Sequence, residues 1–198
     1  MKRRSLLVLS LGGAAVALAA CGKKESEVPA VPAPAKVTPR APTVEALAEV
    51  RGFTVGALMS ANPVYVFFDP QCPHCAKLWE AAKPLHSKVK FVWAPVALLN
   101  ASSLPQGAAI LGAADPVAAM NEHEGSLLAK KGGISAPGTP PADLAQAIKT
   151  NTGLMEAFGA TGVPFTVARN LRTGQMAKGD GSMSTADLAK LIGVDGPQ

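Results

Sequence analysis

Two cysteines, Cys72 and Cys75, are separated by only two residues, a spacing at which two thiols can close a small disulfide and open it again. The apolar, aromatic run at residues 64–68 predicts a buried strand before them, and residues 76–82 predict a helix after them. Cys72 is then expected at a helix N-terminus, where unpaired N–H groups and the helix dipole stabilise a thiolate. Pro73 suits the first helical turn because its missing N–H would have no partner there. The pattern indicates dithiol redox chemistry.

Other uses of the two cysteines need ligands that the sequence does not supply. A tetrahedral zinc site needs four ligands, and there is no second CxxC and no histidine pair. His86 and His123 are isolated, and we expect both at the surface. Haem attachment would need a histidine after Cys75, where Ala76 stands. Copper delivery by a protein that holds Cu(I) between Cys72 and Cys75 remains an alternative, because two thiolates suit this soft ion.

The N-terminus predicts export. A positively charged segment, residues 2–4, precedes an uncharged apolar stretch at 6–20. A membrane-spanning helix needs about 20 apolar residues, so this stretch is too short for one and fits a secretory signal. The sequence LAACG at residues 18–22 resembles a bacterial lipobox. We therefore expect residues 1–20 to be a lipoprotein signal peptide and Cys21 to be lipidated, anchoring the protein in the periplasm to the outer rather than the inner membrane. Ordinary signal cleavage, with Cys21 an unmodified thiol, is the alternative.

The charge balance gives no argument for nucleic acid. The chain has 19 basic and 14 acidic residues, a net charge of +5. The predicted signal contains three of the basic residues and no acidic one, which leaves 16 minus 14, or +2. No basic stripe with interleaved aromatic residues remains. With Cys21 lipidated, Cys72 and Cys75 are the remaining thiols of the three cysteines, too few for a disulfide-stabilised scaffold.

The chain divides into the signal peptide, a linker and one domain. Residues 21–42 are rich in Pro and Ala and predict an extended linker. Residues 43–198 fit a single domain. Its predicted elements, in order, are a short helix within 43–57, a strand at 64–68, the helix after the cysteines that Pro84 kinks or ends, a strand at 89–96, helices at 104–114, 116–131 and 142–158, strands at 165–168 and 175–177, and a helix from Ser184 to Leu191. The order predicts an α/β fold with a helical insertion at about 104–158.

Two segments resemble a known family. The sequence YVFFDPQCPHCAKLW at residues 65–79 resembles the thiol:disulfide interchange proteins of the DsbC/DsbG branch of the thioredoxin fold. The sequence TGVPF at 161–165 resembles the cis-proline segment of that family. The resemblance covers about residues 60–193. It implies a thioredoxin-like fold in which Pro164 lies beside the sulfurs and the preceding residue, Val163, binds substrate backbone.

The resemblance also implies roles for the site residues. Cys72 would be the exposed nucleophile, and Cys75, more buried, would resolve the mixed disulfide without any cofactor. His74 would lower the pKa of Cys72 and so favour an oxidising protein. Pro73-His74 is also the dipeptide of the oxidant DsbA, and Val163 replaces the threonine usual in the isomerase branch. A reductase or isomerase that uses the same thiols is the alternative.

Several side chains near the cysteines have expected roles. Asp69 is expected to cap the helix entry rather than transfer protons. The position six before Cys72, where related folds often carry a buried acid, is Val66, so proton transfer at Cys75 must differ or rely on water. We expect Trp79 and Phe68 in the core, and Glu122 and Glu124 on a solvated helix surface.

The short N-terminus sets this chain apart from the DsbC/DsbG branch, which carries an N-terminal dimerisation domain. About 40 residues separate Cys21 from the strand before Cys72, and half of them are predicted linker. We therefore expect a tethered monomer. Its predicted partners are cysteine-containing exported proteins and a membrane redox partner that recycles the dithiol.

Overall fold

A five-stranded mixed sheet in the order β1-β3-β2-β4-β5 forms the centre of the computed structural model, which describes residues 42–196. The strands are β1 (Phe53–Gly56), β2 (Val64–Phe68), β3 (Lys90–Pro95), β4 (Phe165–Arg169) and β5 (Met176–Asp180). The helices are α1 (Pro73–Ala82), α2 (Ser103–Leu111), α3 (Pro116–Leu128), α4 (Ala142–Ala157) and α5 (Thr185–Ile192). Strand β2 runs parallel to β3 and antiparallel to β4, and the outer pairs β1–β3 and β4–β5 are antiparallel.

Strand β2 lies in the middle of the sheet and contributes to the cores on both of its faces. Val66 and Phe68 pack with α1 and α5 on one face, and Phe67 packs with α4 on the other. Because both faces are covered, the strand is apolar along almost its whole length. Trp79 and Phe68 are fully buried, which confirms their predicted place in the core.

The short helix predicted within residues 43–57 is present, but the strand that follows it in the same segment was not predicted. A 3-10 helix over Val44–Glu49 is followed by β1, which pairs with β3. Phe53, Thr54 and Val55 favour a strand. Gly52 permits the close approach, since a Cβ there would lie 2.5 Å from the carbonyl oxygen of Trp93.

The helical insertion between β3 and β4 is confirmed as α2, α3 and α4. Helix α3 begins where the Asp115-Pro116 pair predicts, with the Asp115 carboxylate accepting a hydrogen bond from the N–H of Ala118. Ser184 likewise caps α5 through the N–H of Asp187. Helix α1 ends at Ala82, before Pro84, and a short 3-10 helix continues it.

The predicted signal peptide, Cys21 and the predicted linker up to residue 41 lie outside the described residues. Within residues 42–196, no helix combines the length and the apolar character that crossing a bilayer requires.

Candidate functional site

The two cysteines lie at the start of α1, where the chain leaves the centre of the sheet. Cys72 is the N-cap residue, with extended backbone (φ −97°, ψ 110°), and Pro73 is in the first turn. The carbonyl oxygen of Cys72 accepts the N–H groups of Cys75 and Ala76, at 3.0 and 3.3 Å. Cys75 is thereby placed on the inner side of the first turn, and both thiols are free in the dithiol form.

The segment before β4 covers the first cysteine. The Val163–Pro164 peptide bond is cis. The thiol of Cys72 lies 3.5 Å from the carbonyl oxygen of Val163, to which it donates a hydrogen bond. The structure therefore brings Cys72, Cys75, Val163 and Pro164 into one site. Cys72 and Val163, which are in contact there, are 91 residues apart in the sequence.

Cys72 is less accessible than the sequence predicts. Only 4% of it is exposed, against none of Cys75, so the expectation of an exposed nucleophile is wrong. The physical reason is the contact with Val163, which packs against the dithiol cluster. Cys75 is the deeper of the two thiols.

The two thiols have opposite pKa shifts. The hydrogen bond from the Cys75 thiol is the main cause that lowers the pKa of Cys72 to about 7, and the backbone N–H groups of Cys75 and His74 lower it further against the effect of burial. Burial raises the pKa of Cys75 well above its usual range, and the neighbouring Cys72 raises it more. Near neutral pH the dithiol therefore holds its negative charge on Cys72.

The side chains between the cysteines are exposed. Pro73 and His74 form the outer lip of the first turn. Within the described part of the chain the imidazole of His74 makes no hydrogen bond, and the contribution of His74 to the pKa of Cys72 comes from its backbone N–H. Its predicted effect on the thiolate through the ring stays a prediction.

Asp69 fastens the loop before Cys72 to the chain that follows β3. Its carboxylate is fully buried and accepts four hydrogen bonds. One oxygen accepts from the N–H of Gln71 at 2.8 Å and the hydroxyl of Ser103 at 2.7 Å. The other accepts from the N–H groups of Leu98 and Leu99, at 2.7 and 3.0 Å. The N-cap of α1 is Cys72, so Asp69 anchors the loop rather than capping that helix.

The next loop residue, Pro70, is held by helix α3. His123 is fully buried, and its Nε2 donates to the carbonyl oxygen of Pro70 at 2.6 Å, while its Nδ1 accepts the N–H of Ile134 at 3.2 Å. The N–H of Ile134 requires Nδ1 to be an acceptor, which assigns the neutral ring. Burial lowers the pKa of His123, consistent with this form. The predicted surface position of His123 is therefore wrong.

Gln71 completes the attachment of the loop to the insertion. Its amide donates to the side chain of Gln106 on α2 and, at 3.1 Å, to the carbonyl oxygen of Gly132. Gln106 in turn donates to the carbonyl oxygens of Gly132 and Ile134, both at 2.9 Å. Each of the three loop residues before Cys72 is thus bound by the insertion.

Gly133 is required by the packing of His123, which gives a testable prediction. A Cβ at Gly133 (φ +87°) would lie 2.3 Å from the ring of His123, whereas one at Gly132 (φ +86°) would meet nothing within 4 Å. Both substitutions by alanine strain the backbone, but only Gly133→Ala also displaces the buried ring. We expect it to lower the free energy of unfolding by about 2 kcal/mol more than Gly132→Ala, measured by urea denaturation. Equal losses would contradict this account of the packing.

Glu124 is the second residue of α3 whose predicted surface position is wrong. It is fully buried, while Glu122 is exposed as predicted. The physical reason is the packing of α3 against α1, which turns Glu124 inward. Burial raises its pKa to about 9, and the charges of Cys72 and Glu80 raise it further. A buried, protonated acid beside the dithiol was not foreseen, and no pattern in the sequence separates it from Glu122.

Metal binding at the site would rest on the two sulfurs. Within residues 42–196 no group of three or more His, Cys, Asp or Glu side chains is arranged to hold a metal ion. His86 is only half buried and lies against the rings of Trp79 and Phe91, away from any second ligand.

Comparison with known proteins gives relatives in sequence and in structure, while no family model matches. The chain is 31% identical over 132 residues to the thiol:disulfide interchange protein DsbG of Pseudomonas aeruginosa. These residues make up 66% of this chain and 50% of the relative. The chain thus spans half the length of this curated relative.

Solved structures share the fold. The catalytic domain of Proteus mirabilis ScsC superposes with a TM-score of 0.58 at 18% identity, covering 75% of this chain and 95% of that domain. A periplasmic thioredoxin-like protein from Salmonella enterica serovar Typhimurium gives a TM-score of 0.61 at 17% identity, with 77% and 97% covered. These structures confirm the predicted fold class, and the named relative is a thiol:disulfide interchange protein, the enzyme class that the sequence predicts. The folded part of the chain therefore has a thioredoxin-like fold and is similar in sequence to the thiol:disulfide interchange protein DsbG.

Proposed function

We propose that the protein is a periplasmic thiol:disulfide oxidoreductase that passes disulfides to exported proteins through Cys72 and Cys75. The observation that carries the proposal is the position of the Cys72 sulfur. It lies at the N-terminus of α1, 3.5 Å from the carbonyl oxygen of Val163, with the Cys75 thiol behind it. A substrate strand that lies along Val163 and Pro164 would present its own sulfur to Cys72.

The exchange proceeds through a mixed disulfide. A substrate thiolate attacks the Cys72 sulfur, the Cys72–Cys75 bond breaks, and Cys75 takes the electron pair and a proton. A second substrate thiolate then attacks the substrate sulfur of the mixed disulfide, and Cys72 leaves as a thiolate. The substrate loses two electrons to the protein. The lowered pKa of Cys72 favours this last step, because a more acidic thiol is a better leaving group.

The oxidising direction is supported by Pro73-His74 and by the stabilised thiolate, which favours the reduced form of the protein. A pKa of about 7 is also that of thioredoxin, whereas DsbA lies near ~3.5, so the expected rise of the potential above thioredoxin's rests on Pro73-His74. In equilibrium titration against glutathione, the potential should lie above thioredoxin's, at about −270 mV, and below that of DsbA, at about −120 mV.

A potential at or below thioredoxin's would overturn the oxidising direction and favour the reductase alternative. The matched control is His74→Ala, which leaves both thiols in place and removes an exposed ring. If the ring favours oxidation, this variant shifts the potential towards thioredoxin's.

We further propose that the protein is held at a membrane facing the periplasm, the outer rather than the inner one, by a lipid on Cys21. The signal-like residues 1–20 and the lipobox-like sequence support this. A membrane redox partner would then reoxidise the dithiol after each exchange. The intact mass of the mature protein separates a lipidated Cys21 from ordinary cleavage.

A further inference from the structure

Glu124 is an acid buried beside the dithiol with no group that could neutralise its charge by hydrogen bonding. Its side chain is fully buried, and among the described residues neither of its carboxyl oxygens has a hydrogen-bond partner. An unpaired carboxylate in such a place is strongly unfavourable unless it takes up a proton. The raised pKa, about 9, agrees with a neutral acid at neutral pH.

The packing of α3 on α1 places Glu124 level with the cysteines. His123 contacts the loop that precedes α1. Asn121 accepts a hydrogen bond at 2.9 Å from Nε1 of Trp79, in the second turn of α1. The two helices are therefore antiparallel along this contact. Glu124, one turn from Asn121 on the same face of α3, lies beside the first turn of α1, which carries Cys75.

The charged groups that act on Glu124 are Cys72, the N-cap residue of α1, and Glu80 on α1. Its neighbour His123 is neutral and turned to the loop. The negative charge of Glu124 helps to raise the pKa of Cys75, and the charge of Cys72 helps to raise that of Glu124. Each group therefore responds to the charge that redox chemistry creates or removes.

Among the described residues, the charged groups that act on the Cys75 thiol are Cys72 and Glu124. Cys75 is fully buried, so solvent does not reach its sulfur directly. Both oxygens of Asp69 are occupied by the four donors that anchor the loop. The position six before Cys72 is apolar Val66. This leaves Glu124, on α3, as the acid that acts on Cys75.

We propose that Glu124 is the proton donor and acceptor for Cys75. When a substrate thiolate opens the disulfide at Cys72, Cys75 leaves with the electron pair of the broken bond, and Glu124 supplies the proton that makes it a thiol. Glu124 is then a carboxylate. When the disulfide closes again, Cys75 attacks the mixed disulfide and its proton returns to Glu124, while the partner leaves as a thiolate.

The inference rests on the proposed dithiol exchange, and the test separates the two. Dithiothreitol is used to reduce the Cys72–Cys75 disulfide of three proteins from pH 5 to 10: the wild type, Glu124→Gln and the exposed control Glu122→Gln. Each reduction rate is divided by the fraction of dithiothreitol present as thiolate. The wild type should show a plateau that falls at high pH as Glu124 loses its proton. Glu124→Gln should be at least about tenfold slower on the plateau and flat with pH, and Glu122→Gln should match the wild type.

A corrected rate of Glu124→Gln equal to that of the wild type over the whole range would overturn the inference. If dithiothreitol reduces the disulfide of the wild type but the protein exchanges with no protein thiol, the proposed function is wrong. The dependence of the reduction rate on pH then still decides the inference on Glu124.

Stability gives a second readout, which tests whether Glu124 is held in the protonated form that the proposal requires. The folded-state pKa of Glu124 is raised from 4.5 to about 9, so the unfolded chain releases this proton first. Between pH 4.5 and about 9, Glu124 therefore makes the free energy of unfolding fall as the pH rises. Glu124→Gln should lack that fall and be at least as stable as the wild type at pH 8. A variant that is less stable at pH 8 would indicate a packing role instead.

A titration of the wild type alone covers the case in which the variant does not fold. Carbon-13 spectra of the glutamate side chains should show one group with a pKa near 9 in the dithiol form. That pKa should be lower in the disulfide form, because the charge on Cys72 is gone. Ordinary values for every glutamate would overturn the proposal.

Discussion

Cells that carry the Cys75→Ala variant are expected to accumulate mixed disulfides between Cys72 and exported proteins. The reason is the order of the two thiols in the site. Cys72 is the sulfur beside Val163, and Cys75 is the buried thiol that would otherwise attack and release the partner. Without it, each complex persists until an outside thiol resolves it. Non-reducing electrophoresis of acid-quenched cells, followed by mass spectrometry, measures the trapped proteins.

The matched control is the double variant Cys72→Ala, Cys75→Ala, which should trap nothing. Catalysed exchange by Cys72→Ala alone should fall to the background rate of thiols in solution. If Cys75→Ala traps no protein while the wild type copurifies with copper, the oxidoreductase proposal is wrong and the two sulfurs hold Cu(I).

The substitution Asp69→Asn is expected to lower the free energy of unfolding by about 3 kcal/mol, although it hardly changes the volume of the side chain. Each carboxylate oxygen accepts two donors, so either orientation of the amide turns its NH₂ group towards two other donors. Ser103 can rotate its hydroxyl, but the backbone N–H groups of Gln71, Leu98 and Leu99 cannot. Urea denaturation at pH 7 measures the loss.

Asp115→Asn is the control for this measurement. Asp115 is exposed at the N-terminus of α3 and accepts one N–H, and asparagine is as good a cap as aspartate. Its effect should stay within about 0.5 kcal/mol. A loss for Asp69→Asn no larger than that of the control would show that the loop does not depend on the four hydrogen bonds.

The elements that carry the site were predictable because their signals are local. An apolar aromatic strand, a CxxC pair with proline in the first turn and a capped start of α3 each lie within a few residues, and β2 has its predicted bounds. Strand β1 was missed because its four residues are exposed or half buried apart from Phe53, and its pairing with β3 is a tertiary contact.

The polar part of the site could not be predicted, since burial of a polar residue depends on which helix faces which. Glu122 and Glu124 have the same residue type two positions apart, and only the packing of α3 on α1 makes one exposed and the other buried. His123 is a similar case. Gly133 makes room for the ring of His123, but the sequence does not show which side chain this glycine accommodates.

The attachment of the loop before Cys72 to the insertion has a consequence for the entropy of binding. Asp69, Pro70 and Gln71 are each fixed by hydrogen bonds from other elements, and the same carboxylate fixes the backbone of Leu98 and Leu99, whose side chains are 41% and 52% exposed. Ordering a backbone residue costs about 1–2 kcal/mol, and here that ordering occurs during folding. A partner that binds at this loop therefore encounters a backbone with little conformational freedom left to lose.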